Sequence, residues 1–433
     1  MKPIRTILLA VITVGCVSAY TFAADWTHWR GPSFDGSSSE HKLPDDFSKT
    51  NNVKWVASLP GPSAATPIIW GDNIFLSSTD LRTKTLRAIA LDRKSGRLLW
   101  NNEIAPGFNQ DERSNHASPS PTTDGERAYF YYSTGDLVAF DFSGKQVWAR
   151  NIQKDYGPFV YQWTYGSSPT LFDGKLFIQV LQRDVSVHGR GVKTEPNASY
   201  LLALDPKTGK ELWRHARPTE AKLESREAYS TPIPYKGQLL IAGGDCLTAH
   251  DPRNGKELWR WCSFNTQNKT HMRLVPSPVA GSNIALVCAP QRYPLFAVNL
   301  AGKVDNSSLA WQSEGKELFS DTPTPLFYGG RFYVLNGDRK TLTRIEPATG
   351  KVEWTGDLGG MAKFESSPTG ADGKIYFQNF RGDVYLVDAG EEFNLLRVIP
   401  MGDTDDNELR STISVAQGNL FIRTGSKLYC VGK

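Results

Sequence analysis

The sequence has few of the residues that build redox or metal centres. It contains five cysteines, none adjacent to another, and its seven histidines never fall at metal-ligand spacing. No C-x-x-C, phosphate-binding P-loop, G-x-S-x-G or H-E-x-x-H motif occurs. These absences argue against metal clusters, covalently attached haem, P-loop enzymes and serine hydrolases.

Strongly one-sided charge is also missing. The formal net charge is +4 over 433 residues, and no run of lysine and arginine occurs. We therefore expect no nucleic-acid partner.

Long apolar runs are missing too. The stretch from Ile7 to Gly15 follows a basic start and is too short to cross a bilayer comfortably. We predict that residues 1–23 are a secretory signal peptide, ending at Ala23. The alternatives are a retained anchor helix or a lipid attached at Cys16. The chain is thus expected to be periplasmic or extracellular, with membrane contact only through such a lipid.

A tryptophan-ended repeat of roughly 45 residues fills most of the chain, which predicts a propeller, solenoid or array. The clearest copy, Ala203 to Trp213, has the pattern A-x-D-x-x-[ST]-G-x-x-x-W. Runs of β-forming residues alternate with Pro and Gly turns, which predicts four antiparallel strands per copy. We expect each repeat Trp to fill the gap between neighbouring blades. Further copies end at Trp100, Trp148, Trp259, Trp311 and Trp354.

Eight strand openings predict eight blades. Seven carry Ser-Pro or Thr-Pro, including one at Thr322-Pro323, and the eighth is Ser411-Thr412-Ile413. The last unit has only three strands, and Val53 to Val56 is an unassigned Trp-containing strand near the start. The sequence therefore predicts an all-β, eight-bladed β-propeller over residues 53–433, closed when this N-terminal strand joins the last blade. Residues 24–52 are assigned as an N-terminal extension.

Two cysteines flank the turn from Asp251 to Gly255 on strands predicted to pair. Counting back from that turn places Cys246 and Cys262 nearly opposite each other, and export permits disulfides. We predict a cross-strand disulfide, unless a one-residue bulge at the turn places the two side chains on opposite faces. The other two cysteines of the mature chain, Cys288 and Cys430, are expected to be small buried apolar residues.

The repeat and its S-x-P openings resemble those of the pyrroloquinoline-quinone (PQQ) β-propellers, from about Trp55 to Val431. That superfamily includes quinoprotein alcohol dehydrogenases and a non-enzymatic lipoprotein of the outer-membrane barrel-assembly machine. The chain is most similar to secreted PQQ-repeat proteins without an established function. It lacks the vicinal Cys-Cys pair usual in the dehydrogenases, so that resemblance covers only the repeats. The matching segments are W-x-x-W-R-G-P from Trp26, H-A-S-P-S-P-T-T-D-G from His116, S-Y-L-L-A-L-D from Ser199 and F-I-R from Phe421.

Blade-entry residues should converge on the face that carries the mouth of the central channel. Their Arg, acidic and aromatic side chains suit a polar, anionic ligand or partner segment. The alternative is that they cap blade ends and pair with each other in solvent. A long insertion, Gln182 to Asn197, falls on the same face and should be a mobile loop. The predicted binding residues are His116, Trp163, Tyr165, Arg226, His271, Arg273, Asp321, Glu365 and Arg410, with Tyr229 and Lys363 at equivalent entries.

These features favour a non-catalytic exported scaffold that binds an envelope protein or a polar small molecule as a monomer. No cofactor is required by any recognised site, and PQQ enters only through the resemblance. The alternatives are a PQQ-dependent dehydrogenase or a propeller that binds a sugar or another small molecule.

Overall fold

The computed structural model describes residues 25–108, 111–194, 196–290, 293–314, 318–404, 406 and 408–433. The predicted signal peptide, residues 1–23, and Cys16 lie outside the described residues. Within the described ranges, 32 strands form eight four-stranded antiparallel sheets. The described helices are a one-turn helix, α1 (Ile152–Tyr156), and a short 3-10 helix, Leu223–Arg226. None of the described helices is long and apolar enough to cross a membrane.

The strands follow each other blade by blade along the chain. After β1 (Val53–Ser58), blade 1 holds β2 (Ile68–Trp70), β3 (Asn73–Asp80), β4 (Thr85–Asp92) and β5 (Leu98–Pro106). Blade 2 holds β6 (Thr122–Thr123), β7 (Arg127–Tyr131), β8 (Asp136–Asp141) and β9 (Gln146–Asn151). Blade 3 holds β10 (Thr170–Phe172), β11 (Lys175–Val180), β12 (Tyr200–Leu204) and β13 (Glu211–Ala216). Blade 4 holds β14 (Ile233–Tyr235), β15 (Gln238–Gly243), β16 (Cys246–His250) and β17 (Glu257–Trp261).

The second half repeats the same order. Blade 5 holds β18 (Val279–Gly281), β19 (Ile284–Cys288), β20 (Leu295–Asn299) and β21 (Leu309–Gln312). Blade 6 holds β22 (Leu326–Tyr328), β23 (Arg331–Asn336), β24 (Thr341–Ile345) and β25 (Val352–Asp357). Blade 7 holds β26 (Thr369–Ala371), β27 (Lys374–Gln378), β28 (Asp383–Asp388) and β29 (Leu395–Pro400). Blade 8 holds β30 (Ser414–Ala416), β31 (Asn419–Arg423), β32 (Lys427–Gly432) and the N-terminal β1.

The N-terminal strand closes the ring. Strand β1 pairs antiparallel with β32, with Trp55 opposite Cys430 and Ala57 opposite Leu428. The predicted eight-bladed propeller and its closure are confirmed, and no blade edge is left open at the junction of the two ends. One predicted opening was two residues early, because blade 6 begins after Thr324-Pro325 and not after Thr322-Pro323.

The repeat motif folds as a turn between the third and fourth strands. In blade 3, the Asp205 carboxylate accepts hydrogen bonds from the Lys207 backbone N–H at 2.8 Å and from the Thr208 hydroxyl at 3.0 Å. Gly209 follows with φ +70°, a backbone conformation that residues other than glycine rarely adopt. The motif Asp is therefore a turn residue, and the carboxylates of Asp92, Asp141 and Asp251 accept turn N–H groups in the same way.

The repeat Trp residues that end the blades, with the exception of Trp259, pack on the turn of the next blade. The Trp148 indole N–H donates to the Pro206 carbonyl at 2.8 Å, and Trp311 donates to Pro347 at 2.7 Å. Trp259 departs from this pattern, because its N–H donates to Gln238 within its own blade at 2.9 Å. The indoles thus join neighbouring blades, which is the structural role expected for them.

Cys246 and Cys262 form a disulfide between β16 and β17, with their Cα atoms 4.2 Å apart. The prediction that a one-residue bulge at the turn would prevent this disulfide was wrong. A one-residue bulge does interrupt the pairing between Ala249 and His250, and beyond it Leu247 lies opposite Trp261. The bulge shifts the register by one residue and thereby brings the two cysteines opposite each other. Cys288 and Cys430 are free thiols and buried.

The N-terminal extension crosses the propeller beneath the first strands. Trp26 exchanges two backbone hydrogen bonds with Ile69 of blade 1, at 2.8 and 3.0 Å. On the far side of the ring, the Asp35 carbonyl accepts from Phe327 of blade 6 at 3.1 Å. Further on, the Glu40 carboxylate accepts from Gly418 of blade 8 at 2.6 Å. Because these blades lie on different sides of the ring, the extension spans one end of the central channel.

Candidate functional site

A cavity of about 240 Å³ lies at the mouth of the central channel, and we call it the cup. All eight blades contribute to its wall through residues that immediately precede or begin their first strands. Strands alternate in direction within a blade, so the loops between blades share this face with the loops that join second and third strands. The turns that carry the repeat motif lie on the opposite face.

A ring of eight hydroxyl groups lines the cup, one from each blade. Seven of them are linked in sequence, because the backbone N–H at each position donates to the hydroxyl oxygen of the next blade at 2.8–3.4 Å. Their residues are only 1–6% exposed. The ring consists of Thr66, Ser120, Ser168, Thr231, Ser277, Thr324, Ser367 and Thr412.

Charged side chains of both signs stand above the hydroxyl ring. The Glu365 carboxylate forms ion pairs with the Lys363 ammonium and the Arg410 guanidinium, each with an N···O distance of 2.6 Å. Arg273 lies 3.9 Å from Asp321. With Arg113, the wall carries four cations and two carboxylates, and two further carboxylates pair with these cations from beside the wall, Glu224 with Arg273 at 3.6 Å and Glu408 with Arg410 at 3.1 Å.

Arg113 differs from the other three cations of the wall. Its guanidinium lies over the Trp163 ring at 5.0 Å from the centroid. Within the described residues, no carboxylate lies within ion-pairing distance of it, and its side chain is exposed. Arg113 therefore brings positive charge to the mouth that the wall itself does not neutralise.

A buried carboxylate fixes the aromatic side of the cup. The Tyr229 hydroxyl donates to Glu227 at 2.6 Å and accepts the Trp163 backbone N–H at 3.1 Å. Glu227 also accepts from the Gln162 backbone N–H at 3.0 Å and pairs with Arg183. Burial raises the pKa of Glu227, while its hydrogen bonds and Arg183 act in the opposite direction. This network holds Trp163 and Tyr229 at the wall.

The floor of the cup comes from the N-terminal extension through Trp29. The fully buried Arg30 lies next to it, with its Cζ 5.4 Å from the Trp29 ring centroid. Its guanidinium donates to the carbonyls of Pro325 at 2.7 Å and Pro368 at 3.0 Å, which belong to blades 6 and 7. Burial lowers the pKa of Arg30 to about 10, so it stays charged at neutral pH.

His28 lies beside this floor and is also buried. Its ring centroid is 4.5 Å from that of Phe34, and its Nδ1 accepts the Arg30 backbone N–H at 3.3 Å. Burial, followed by the charge of Arg30, lowers the pKa of His28 to about 3. The imidazole is therefore neutral at neutral pH.

The structure brings five of the nine predicted binding residues together in the cup, along with Tyr229 and Lys363. These five are Trp163, Arg273, Asp321, Glu365 and Arg410. Their proximity is a finding, and their binding of a ligand stays a prediction.

The other four predicted residues do not line the cup. Tyr165 is 2% exposed and donates to the Gln179 carbonyl, inside an aromatic cluster with Tyr161. Arg226 pairs with Asp184 at 3.4 Å. The remaining two are His116, whose ring bonds the Ser133 hydroxyl, and His271, whose side chain is exposed.

A position just before the first strand of a blade was not enough to predict which side chains reach the channel. The sequence interpretation also missed Trp29, Arg113 and the hydroxyl ring. The ring had a signal, because Ser or Thr immediately precedes the Pro at every Pro-containing opening.

The insertion from Gln182 to Asn197 folds back on its own blade. Among its described residues, the Asn197 side chain donates to the Asp184 carbonyl at 3.0 Å, and Gln162 bonds His188 at 2.9 Å. Arg190 donates to the Tyr161 carbonyl. These contacts tie the loop to the segment that carries Trp163.

Several solved structures share the fold of this chain. Across 93% of this chain and 90% of the other, a europium-containing methanol dehydrogenase superposes with a TM-score of 0.67 at 12% identity. BamB from Moraxella catarrhalis superposes over 88% of this chain and 99% of its own, with a TM-score of 0.57 at 13% identity. Quinohemoprotein alcohol dehydrogenase from Comamonas testosteroni gives a TM-score of 0.64 at 14% identity over 94% and 81%. Such low identities show the shared fold alone.

Sequence comparison gives the family. No curated protein matches the chain. A family of PQQ-type repeats, described as outer membrane protein assembly factor BamB, matches residues 47–160, 166–304 and 301–432. Because these ranges take in most of the sequence, the chain belongs to that family.

Proposed function

We propose that this protein is a non-catalytic scaffold of the cell envelope that binds an extended segment of a partner protein at the channel-mouth face. One observation carries the proposal: a cup to which every blade contributes, with four cations in its wall and a floor made by the chain's own extension. A propeller of this kind offers a rigid, one-sided platform for a partner segment. The family description, outer membrane protein assembly factor, supports a location in the envelope.

The size of the cup favours a side chain over a large cofactor. Pockets for drug-sized ligands occupy roughly 300–1,000 Å³. The cup, at about 240 Å³, is smaller than that range. It suits one or two side chains of a bound segment, with the rest of the segment lying across the mouth.

The side chains of the cup give no support for the quinone chemistry of the dehydrogenases that share the fold. The resemblance implies that those enzymes carry a catalytic Asp and Ca²⁺ ligands in their loops, and these have no residue-by-residue match in this sequence. Among the described residues, no group of three or more His, Cys, Asp or Glu side chains could hold a metal ion. The disulfide joins two strands within blade 4, and neither of its cysteines lines the cup. We therefore derive no reaction step through a quinone.

Site-specific crosslinking in envelope vesicles tests the proposal. Met361 is 87% exposed on the loop that carries Lys363 and Glu365, so Met361→Cys can hold a photocrosslinker at the mouth. Asp173→Cys places the same reagent on the exposed β10–β11 turn of the opposite face. We expect a discrete protein adduct from position 361 and none from position 173. Equal adducts from both positions, or none from position 361, would contradict the proposal.

A further inference from the structure

The hydroxyl ring is a set of hydrogen-bond donors. A hydroxyl group has one hydrogen to donate and two lone pairs to accept. In seven of the eight residues a lone pair already accepts the N–H of the preceding blade. Among the hydrogen bonds of the described residues, none of the eight hydroxyl hydrogens has a protein acceptor. Eight O–H groups are therefore left to donate at the wall of the cup.

The electrostatic surroundings of the ring favour an acceptor that is negatively charged. Above it, Arg113 stands at the mouth with no carboxylate of the described residues within ion-pairing distance. Below it lies the buried Arg30 guanidinium, which donates to backbone carbonyls and whose charge the Asp35 carboxylate partly offsets. Charge–charge attraction is stronger in such a partly dry site than in bulk water. Donors on the wall and cations on both sides are the elements of an anion site.

We infer that the hydroxyl ring binds a carboxylate. The inference rests on the proposed function and specifies it: the bound partner segment inserts an Asp or Glu side chain, or its terminal carboxylate, into the cup. An ionised carboxylate has two oxygens and about four acceptor sites, so it can accept from several ring hydroxyls at once. Arg113, at the mouth, is then placed to pair with a second acidic group of the same segment.

A free small carboxylic acid shares the chemistry of such a side chain, and the experiment separates the two sources. Isothermal titration uses a capped peptide Gly-Gly-Glu-Gly-Gly, its Gln counterpart and sodium succinate. We expect the Glu peptide to bind and the Gln peptide not to bind. Binding of succinate without the Glu peptide assigns the ring to a free acid, which supports the carboxylate site and contradicts the protein-partner role. Binding of neither carboxylate overturns the inference, even where the crosslinking at position 361 succeeds.

Ring variants show whether the hydroxyls do the binding. The double variant Thr231→Val with Thr324→Val removes two ring hydroxyls, because Val has nearly the shape of Thr but no O–H group. The double variant Thr231→Ser with Thr324→Ser keeps both hydroxyls. Hydrogen bonds to a charged group contribute about 1.5–3 kcal/mol each, so the Val pair should weaken Glu-peptide binding by about tenfold or more. The Ser pair should bind within about twofold of the wild type.

The Val pair also leaves two backbone N–H groups of neighbouring blades without acceptors, at Ser168 and Ser277. Its melting temperature is therefore measured alongside. If the Val pair does not fold, titration of the Glu and Gln peptides into the Ser pair and into the wild type still tests whether the cup selects a carboxylate. Equal affinity of both peptides for these folded proteins would overturn the inference.

Discussion

The indole of Trp148 lies directly on Gly209 of the next blade, with its Cδ2 atom 2.7 Å from the position that a Cβ would take there. The contact explains why the repeat couples a glycine turn to a terminal tryptophan. Gly209 supplies both the positive φ of the turn and the flat surface that the indole of the preceding blade needs. The same pairing joins Trp100 to Gly144 and Trp311 to Gly350.

Gly209→Ala should therefore destabilise the propeller more than the same change at Gly174. The φ angles of the two residues are similar, +70° at Gly209 and +67° at Gly174, but nothing lies within 4 Å of a Cβ at position 174. We expect Gly174→Ala to cost about 1 kcal/mol from backbone strain. Gly209→Ala should cost about 1–3 kcal/mol more, because the Trp148 indole must move. Denaturant unfolding followed by circular dichroism measures both, and equal losses would contradict the packing role of the tryptophan.

Stability should depend on pH through His28. Its pKa of about 3 in the folded protein lies below the usual value of 6.5. Below pH 6.5 the unfolded chain binds a proton at His28 that the folded chain does not, so this residue's contribution to stability is present above pH 6.5 and is lost as the pH falls toward 3. Each pH unit in that window should cost about 1.4 kcal/mol.

The comparison of wild type with His28→Gln isolates this contribution from other acid-sensitive groups. The difference in unfolding free energy between the two proteins should change across pH 6.5 to 4 and stay level from pH 7 to 8. Unfolding titrations at these values provide the measurement. A constant difference over the whole range would show that His28 does not titrate differently in the folded state.

The disulfide should contribute to stability through the loop that it closes. Cys246 and Cys262 are 16 residues apart, and a loop of about this length corresponds to about 3 kcal/mol. Cys246→Ala with Cys262→Ala should lower the free energy of unfolding by about that amount, and reduction of the wild type should match it. Alkylation of the denatured, unreduced protein followed by mass mapping gives a direct check. Modification at position 246 or 262 would show that the bridge is absent.

Adding PQQ with Ca²⁺ to the purified protein should produce no alcohol- or sugar-dependent reduction of a dye. The reason is the donor set, since no described group of three acidic, His or Cys side chains could hold the ion. Absorbance and thermal shift measured on the same samples report whether PQQ binds at all. Turnover that depends on PQQ would replace the scaffold with a quinoprotein oxidoreductase.

The propeller was predictable because its signals are local. The Asp-to-Gly turn, the terminal Trp and the Ser-Pro or Thr-Pro opening each encode a short piece of backbone, and counting them fixes the number of blades. The leftover strand at Trp55 had one partner, the incomplete last unit, and it pairs there with β32. The exception was the turn bulge near His250, which a residue count cannot place.

The cup was only partly predictable, because its parts come together through tertiary contacts. Arg30 is held by the carbonyls of Pro325 and Pro368, and a backbone acceptor leaves no pattern in the sequence. The extension was therefore assigned no role, although it makes the floor. Tyr165 and Trp163 are two residues apart in an aromatic run, yet one is buried and the other reaches the cup. Trp163 and Tyr165 point to different surroundings because of the path of the chain around Tyr229, which only the folded structure shows.

Removing two cations of the wall tests the central claim most directly. Arg273 and Arg410 are 20% and 17% exposed and pair with carboxylates at the mouth, so the melting temperature of Arg273→Ala with Arg410→Ala is measured alongside to separate lost binding from lost stability. A control pair, Arg97→Ala with Arg253→Ala, removes two cations from the opposite face. The measurement is the yield of the adduct from a crosslinker at position 361 in envelope vesicles. We predict that the adduct disappears with the first pair and persists with the control pair, whereas an undiminished adduct with the first pair would contradict the account.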